Sequence, residues 1–183
     1  IPSGKIIFLG RNVLTLPPEE LRGVRGSGIG MVFQDPFSAM NPVLTVGDQI
    51  EEVIETHRGG RDRGAVLTLM TRVQIPDPER VYRSYPHQLS GGLRQRACLA
   101  MAIASKPKVL IADEPTTALD VTTQREILDL LDRLKKDMAL SILFITHNLG
   151  LLAERADRLA VMYAGEIVEM GVTTTLRKSP LHP

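Results

Sequence analysis

Five short runs of consecutive apolar residues punctuate the chain, at 6–9, 29–33, 109–112, 142–145 and 159–163. Each is continuous, not alternating, which predicts strands buried on both faces. Helical patterns lie between the later runs. Over 122–138, Ile127, Leu130, Leu131 and Leu134 recur at three- and four-residue spacing, with Arg and Lys opposite. Strand, helix, strand, helix in succession predicts an α/β fold with a largely parallel sheet. The stretch 159–170, interrupted by Ala164-Gly165, reads as a terminal hairpin. From 46 to 81 there is no convincing strand, only helical patterns at 46–56 and 65–73 split by Gly59-Gly60. The expected organisation is therefore α/β core at 1–45, an inserted helical subdomain at 46–104, and α/β core again at 105–183.

Composition narrows this little. A chain of 183 residues, 43% hydrophobic, can bury one real core. Net charge is +1, from 22 basic and 21 acidic residues, so nothing asks for a polyanion such as nucleic acid. No apolar run approaches the roughly 18 residues of a membrane span, so membrane association would go through a partner. The single Cys98 cannot form an internal disulfide and sits in the apolar stretch 97–102, where it reads as a core residue and not a catalytic thiol. The chain opens at Ile1 with no signal peptide and stops at Leu181-His182-Pro183, the expected look of an internal fragment of a longer protein.

The chemistry is concentrated at strand ends, where ligands of open parallel sheets bind. The run 109–112 delivers Asp113 and Glu114, the run 142–145 delivers Thr146 and His147, and the run 29–33 delivers Gln34. Two adjacent carboxylates after a buried strand suit one acid that holds Mg²⁺ through water and a neighbour that orients an attacking water. Upstream, Ser90-Gly91-Gly92 precedes an apolar helix. Serine is a good N-cap, and the glycines let a phosphate approach the free N–H groups at the positive end of the helix dipole. An ordinary capped helix would not explain why the acids follow about 20 residues later at the end of a strand.

Two glycine-containing segments are rejected as phosphate loops. Ser3-Gly4-Lys5-Ile6 lacks the earlier glycine, has Ile where Ser or Thr must face Mg²⁺, and leads into a strand. Gly26-Ser27-Gly28-Ile29-Gly30 also precedes a strand, and no lysine follows.

In order and spacing, Gln34, Leu89-Ser90-Gly91-Gly92, Asp113-Glu114, Ala118-Leu119-Asp120 and His147 resemble the Q-loop, signature, Walker B, D-loop and H-loop of ABC ATPases, a P-loop NTPase-type fold. The resemblance covers essentially the whole chain. It narrows to the ATP-binding subunits of dipeptide, oligopeptide and nickel importers. The matching text is Val32-Phe33-Gln34-Asp35-Pro36, Asn41-Pro42, Tyr85-Pro86-His87-Gln88, the run 113–122, Val161-Met162-Tyr163-Ala164-Gly165 and Ser179-Pro180-Leu181-His182-Pro183.

The resemblance implies ATP and Mg²⁺ as ligands and a role for each position. Asp113 would hold Mg²⁺ through water, Glu114 would be the catalytic base, and His147 would contact the γ-phosphate. Gln34 would sense Mg²⁺ and relay to transmembrane permease subunits, whose coupling helices would dock on 35–46 and the helical subdomain. Ser90, Gly91 and Gly92 would grip ATP bound to a second ATPase subunit, with Asp120 at that interface. A solute-binding protein outside the membrane would be an indirect partner, and the subunit would sit on the cytoplasmic face of the membrane. Leu93 departs from the glutamine commonest in the family, a small departure because the grip uses Ser90 and glycine backbone. The Walker A loop, expected upstream of a strand like 5–10, is missing, so the fragment by itself would lack ATPase activity. The competing reading is a soluble ABC ATPase acting on nucleic acid or ribosomes. Long coiled coils between Gln34 and Ser90 would mark the nucleic-acid type, but only about 55 residues separate them.

Overall fold

A computed structural model describes residues 4–178 apart from 118 and 153. Ser3 of the first rejected loop, Ala118 of the D-loop match and the matching text at 179–183 lie outside the described residues. The chain forms two compact units, the larger ending at Ile145 and the smaller running from Thr146 onward.

In the larger unit, β1 (Ile7–Phe8) and β2 (Arg11–Asn12) make a small antiparallel pair, followed by α1 (Pro18–Val24). The parallel sheet is built from β3 (Ile29–Val32), β4 (Val109–Asp113) and β5 (Ser141–Ile145), in the order β3-β4-β5. Its register aligns Val32 with Ala112 and Ala112 with Phe144. Between β3 and β4 the described chain is helical: α2 (Pro36–Ala39), α3 (Val46–Arg58), α4 (Arg63–Arg72), α5 (Pro78–Arg83) and α6 (Gly91–Ala104). α7 (Val121–Asp137) connects β4 to β5. The helical stretch therefore shares one unit with the sheet.

The helix starts are local chemistry. Thr45, Asp62, Asp77, Ser90 and Asp120 each accept a backbone N–H three residues on, at the N-caps of α3, α4, α5, α6 and α7. Apolar stripes then bury together: Val46, Ile50 and Ile54 of α3, Val66 and Met70 of α4, Leu99 and Ile103 of α6, and Ile127, Leu130 and Leu134 of α7 join Val32 and Leu110 of the sheet in one core.

Burial of the sheet on both faces, expected from the continuous apolar runs, does not hold among the described residues. Val32, Leu110 and Ala112 are buried, with Ile142 and Phe144 half-buried beside them. On the opposite face Met31, Leu143 and Ile145 are 39%, 55% and 44% exposed. The core helices cover one face only. The first apolar run also gives two strand residues and not four, because Leu9 and Gly10 both take positive φ and turn the chain back onto β2.

The smaller unit contains α8 (Leu149–Leu152), the antiparallel hairpin β6 (Arg158–Tyr163) and β7 (Glu166–Val172), and α9 (Thr173–Lys178). The hairpin falls where the sequence predicts it, turning at Ala164 and Gly165, both at positive φ.

Sheet and helix approach closely at Gly30, where an added Cβ would run into the Ala102 carbonyl oxygen of α6. That neighbour is backbone and cannot rotate away. Gly30→Ala is expected to cost about 1–3 kcal/mol, the usual penalty for overpacking a core, read as a lower urea midpoint at unchanged slope.

Candidate functional site

Parallel register decides which side chains meet. Val32 and Ala112 are paired, and Gln34 and Glu114 each follow two residues later, just past the ends of β3 and β4, so both emerge at the carboxyl end of the sheet. The Gln34 side-chain amide donates to Glu114 Oε2 at 3.1 Å. The Thr117 hydroxyl donates to that same oxygen at 2.7 Å. Two donors from separate segments thus orient one carboxylate.

The backbone under Glu114 is equally constrained. Glu114 has φ +43°, a left-handed conformation uncommon for a residue with a side chain and costly unless its surroundings hold it. Here its N–H donates to Ile145 O at 3.0 Å, tying the turn to β5, and Thr117 N–H donates to Glu114 O at 3.3 Å. Gln124 of α7 donates to Thr116 O at 2.8 Å and anchors the turn from below. Asp113, the last residue of β4, is half-buried immediately before it.

A second group forms at the start of α6. Ser90 is exposed, and its Oγ accepts the Leu93 N–H at 3.4 Å. Gly91 lies against the Leu119 side chain, and a Cβ at Gly92 would come within 2.9 Å of Thr123 Cγ2. Gly92 therefore serves packing as well as any anion, since it lets the α6 terminus sit close to the start of α7, whereas Gly91 has room for a Cβ. Arg96 extends that seam. It is buried, bonds Glu126 of α7 at 2.8 Å, and donates to Val73 O and Gln74 Oε1 beyond the end of α4. Asp120 caps α7, accepting the Thr123 N–H at 3.0 Å and the Thr123 hydroxyl at 2.7 Å.

The structure thus joins Gln34 to Glu114 and places Ser90, Gly91, Gly92 and Asp120 about the α6–α7 seam. His147 is an exposed residue of the smaller unit, where the Thr146 hydroxyl oxygen accepts the Asn148 N–H at 3.1 Å. Cys98 is a core residue. Burial, then the charge of Asp35, pushes its thiol up to about 12, far from a thiolate nucleophile at neutral pH.

Three contributors escape sequence reasoning. Thr117 and Gln124 stand within or near the matched text, but no spacing rule marks a hydroxyl or amide as the clamp on a turn. Gln49 is the third. Its buried side chain accepts the Asn41 N–H at 2.8 Å and donates to the carbonyls of Asn41 and Leu44 at 3.0 and 3.1 Å. It pins a loop whose Val43 is 76% exposed.

Among the described residues, no three His, Cys, Asp or Glu side chains converge into a metal cage. The half-buried Asp113 carboxylate at the end of β4 and the Gln34 side-chain oxygen just past β3 are oxygen donors that suit Mg²⁺, which keeps several waters and commonly takes one or two carboxylates plus substrate phosphates.

Known proteins match this chain in sequence and in fold. The family model described as "ABC transporter" matches residues 2–117. A putative peptide import ATP-binding protein of Brucella ovis is 50% identical over all of this chain, which covers 56% of that protein. The dipeptide transport ATP-binding protein DppD of Bacillus subtilis is 46% identical, again over all of this chain and 56% of the relative. The chain spans about half the length of these curated relatives. Among solved structures, the ATP-binding cassette MJ0796, in a dimeric post-hydrolysis state bound to ADP and Pi, superposes with a TM-score of 0.81 at 28% identity. That match covers 94% of this chain and 74% of the other.

The Thr123 hydroxyl, then the Thr123 backbone N–H, hold the Asp120 carboxyl below its ordinary value of 3.8. A depressed pKa stabilises the fold above the unfolded value and ceases to do so as pH falls through the folded value. Asp120→Ala is therefore expected to lower the Tm at pH 7, with the gap to the parent narrowing below pH 3.8, measured by circular dichroism melts across that range.

Proposed function

The chain belongs to the ABC transporter family, and from that membership we propose that it forms part of the ATP-hydrolysing subunit of an importer for peptides or a related small solute. The observation that carries this reading is the Glu114 carboxylate at the end of β4, held by the Gln34 amide from the neighbouring strand end. A general base for water attack needs that fixed orientation beside the phosphate.

In this reading Asp113 and Gln34 hold Mg²⁺. When bound, Mg²⁺ neutralises charge on the β- and γ-phosphate oxygens during transfer. Glu114 takes the proton of the attacking water, and His147 contacts the γ-phosphate. Ser90, Gly91 and Gly92 present the N-terminus of α6 to the γ-phosphate of ATP held by a second ATPase subunit, and Asp120 lines the interface between the two. The exposed Ser90 and Gly91 support a contact made across subunits. The division at 1–45, 46–104 and 105–183 then separates the catalytic core from the helical part that meets the partners.

The phosphate loop and its lysine belong, in this reading, to the portion of the longer protein outside this chain. The exposed apolar face of Met31, Leu143 and Ile145 supports this, because the helix that follows a phosphate loop needs such a face to pack on. The loop pinned by Gln49 is the docking surface for transmembrane permease subunits. No helix among the described residues is long and apolar enough to cross a membrane, which fits a subunit held peripherally on the cytoplasmic face. The peptide cargo is proposed from the names of the relatives, with a solute-binding protein outside the membrane as an indirect partner.

In the full-length protein, Glu114→Gln should keep ATP binding while hydrolysis falls by about 10²–10⁴-fold, the range of general-base catalysis. Full turnover in that variant would remove Glu114 from the reaction. Ser90→Arg should abolish the ATP-dependent dimer seen by light scattering while each subunit still binds nucleotide. An unchanged dimer would refute the contact across subunits.

A further inference from the structure

We propose that Thr117 is a positioning residue for Glu114, acting through the hydrogen bond from its hydroxyl to the carboxylate; this rests on the reading of Glu114 as the base. The bond is 2.7 Å, at the short, charge-assisted end for a hydroxyl on a carboxylate, and it falls on the same Oε2 that takes the Gln34 amide. One donor leaves a carboxylate free to swing about that contact. A second donor on the same oxygen, carried by a separate segment, restrains where that oxygen sits.

The turn delivers the hydroxyl. Thr117 N–H donates to Glu114 O, three residues back, while Gln124 holds Thr116 O from α7. The Thr117 side chain is therefore carried on a clamped backbone and cannot drift with a mobile loop. Thr117 itself is exposed, in contrast to Thr116, which is buried. Exposure means that changing the Thr117 side chain disturbs no core packing, so the hydrogen bond can be removed by itself. Placement of a base within hydrogen-bond reach of the reacting water is worth large factors in rate, and small displacements forfeit them.

The test uses the full-length protein and three variants, Thr117→Val, Thr117→Ser and Glu114→Gln, with steady-state ATPase kinetics and ATP affinity from a fluorescent nucleotide. Thr117→Val keeps the shape and deletes the hydroxyl. It should lower kcat by about 10-fold with KM and nucleotide affinity within about twofold, the pattern of a misplaced base. Thr117→Ser should restore kcat to within about twofold of the parent. Parental turnover in Thr117→Val while Glu114→Gln is inactive would overturn the role of Thr117 alone. A Thr117→Ser variant as slow as Thr117→Val would overturn it as well, since the hydroxyl would not be the active feature. Normal hydrolysis in Glu114→Gln would bring down the base assignment itself and the Thr117 proposal with it.

Discussion

The packing of α6 against several neighbours at once constrains the whole larger unit. Its far end lies under β3 at Gly30, its near end lies beside α7 at Gly92, and its middle packs against α3 and α4. Leu99, Ala100 and Ile103 are buried along it, so its position follows from the core and not from a loop. The exposed first turn is consequently presented from a rigid base. Rigid support of this kind is what a phosphate-gripping terminus requires, because a mobile one would lose affinity in ordering itself on every encounter.

The same core fixes the other half of the site through strand register. Because β3, β4 and β5 run parallel and Val32, Ala112 and Phe144 share a row, residues a fixed distance past that row come out together. Glu114 then departs from ordinary backbone at φ +43°, and the bond from its N–H to Ile145 O holds it there. A carboxylate oriented in advance by protein donors needs no reorganisation when charge develops beside it.

Much of this was legible in the sequence, for physical reasons that differ by element. Runs such as 109–112 and 142–145 are short, apolar and followed at once by polar residues, so the strands and their chemically useful ends were readable together. Ser90 was readable as a cap because serine before an apolar helix satisfies its free N–H groups, and Asp120 as a member of a motif, though its cap on α7 emerges only in the structure. One-sided burial of the sheet was not legible: Met31 and Leu143 are as apolar as their buried neighbours, and composition does not record which face is covered. Nor were Thr117, Gln124 and Gln49, whose work is done by single hydrogen bonds at turns, where no period of 2 or 3.6 residues leaves a trace.

The connection from Glu114 to Asp120 draws these threads together. At one end Thr117 bonds the carboxylate, and a few residues later Leu119 lies against Gly91 at the start of α6. The segment then closes into α7 through the cap at Asp120. If the α6 terminus meets ATP held by a second subunit, as proposed above, it serves the nucleotide of the opposite subunit while Glu114 serves that of its own. One short, hydrogen-bonded segment would then touch the machinery of both nucleotides. A disturbance at either end could reach the other through the covalent chain without crossing the core. Its dense bonding, with Gln124, Ile145 and Thr123 each holding a different residue of it, is what such a link needs in order to transmit displacement and not absorb it.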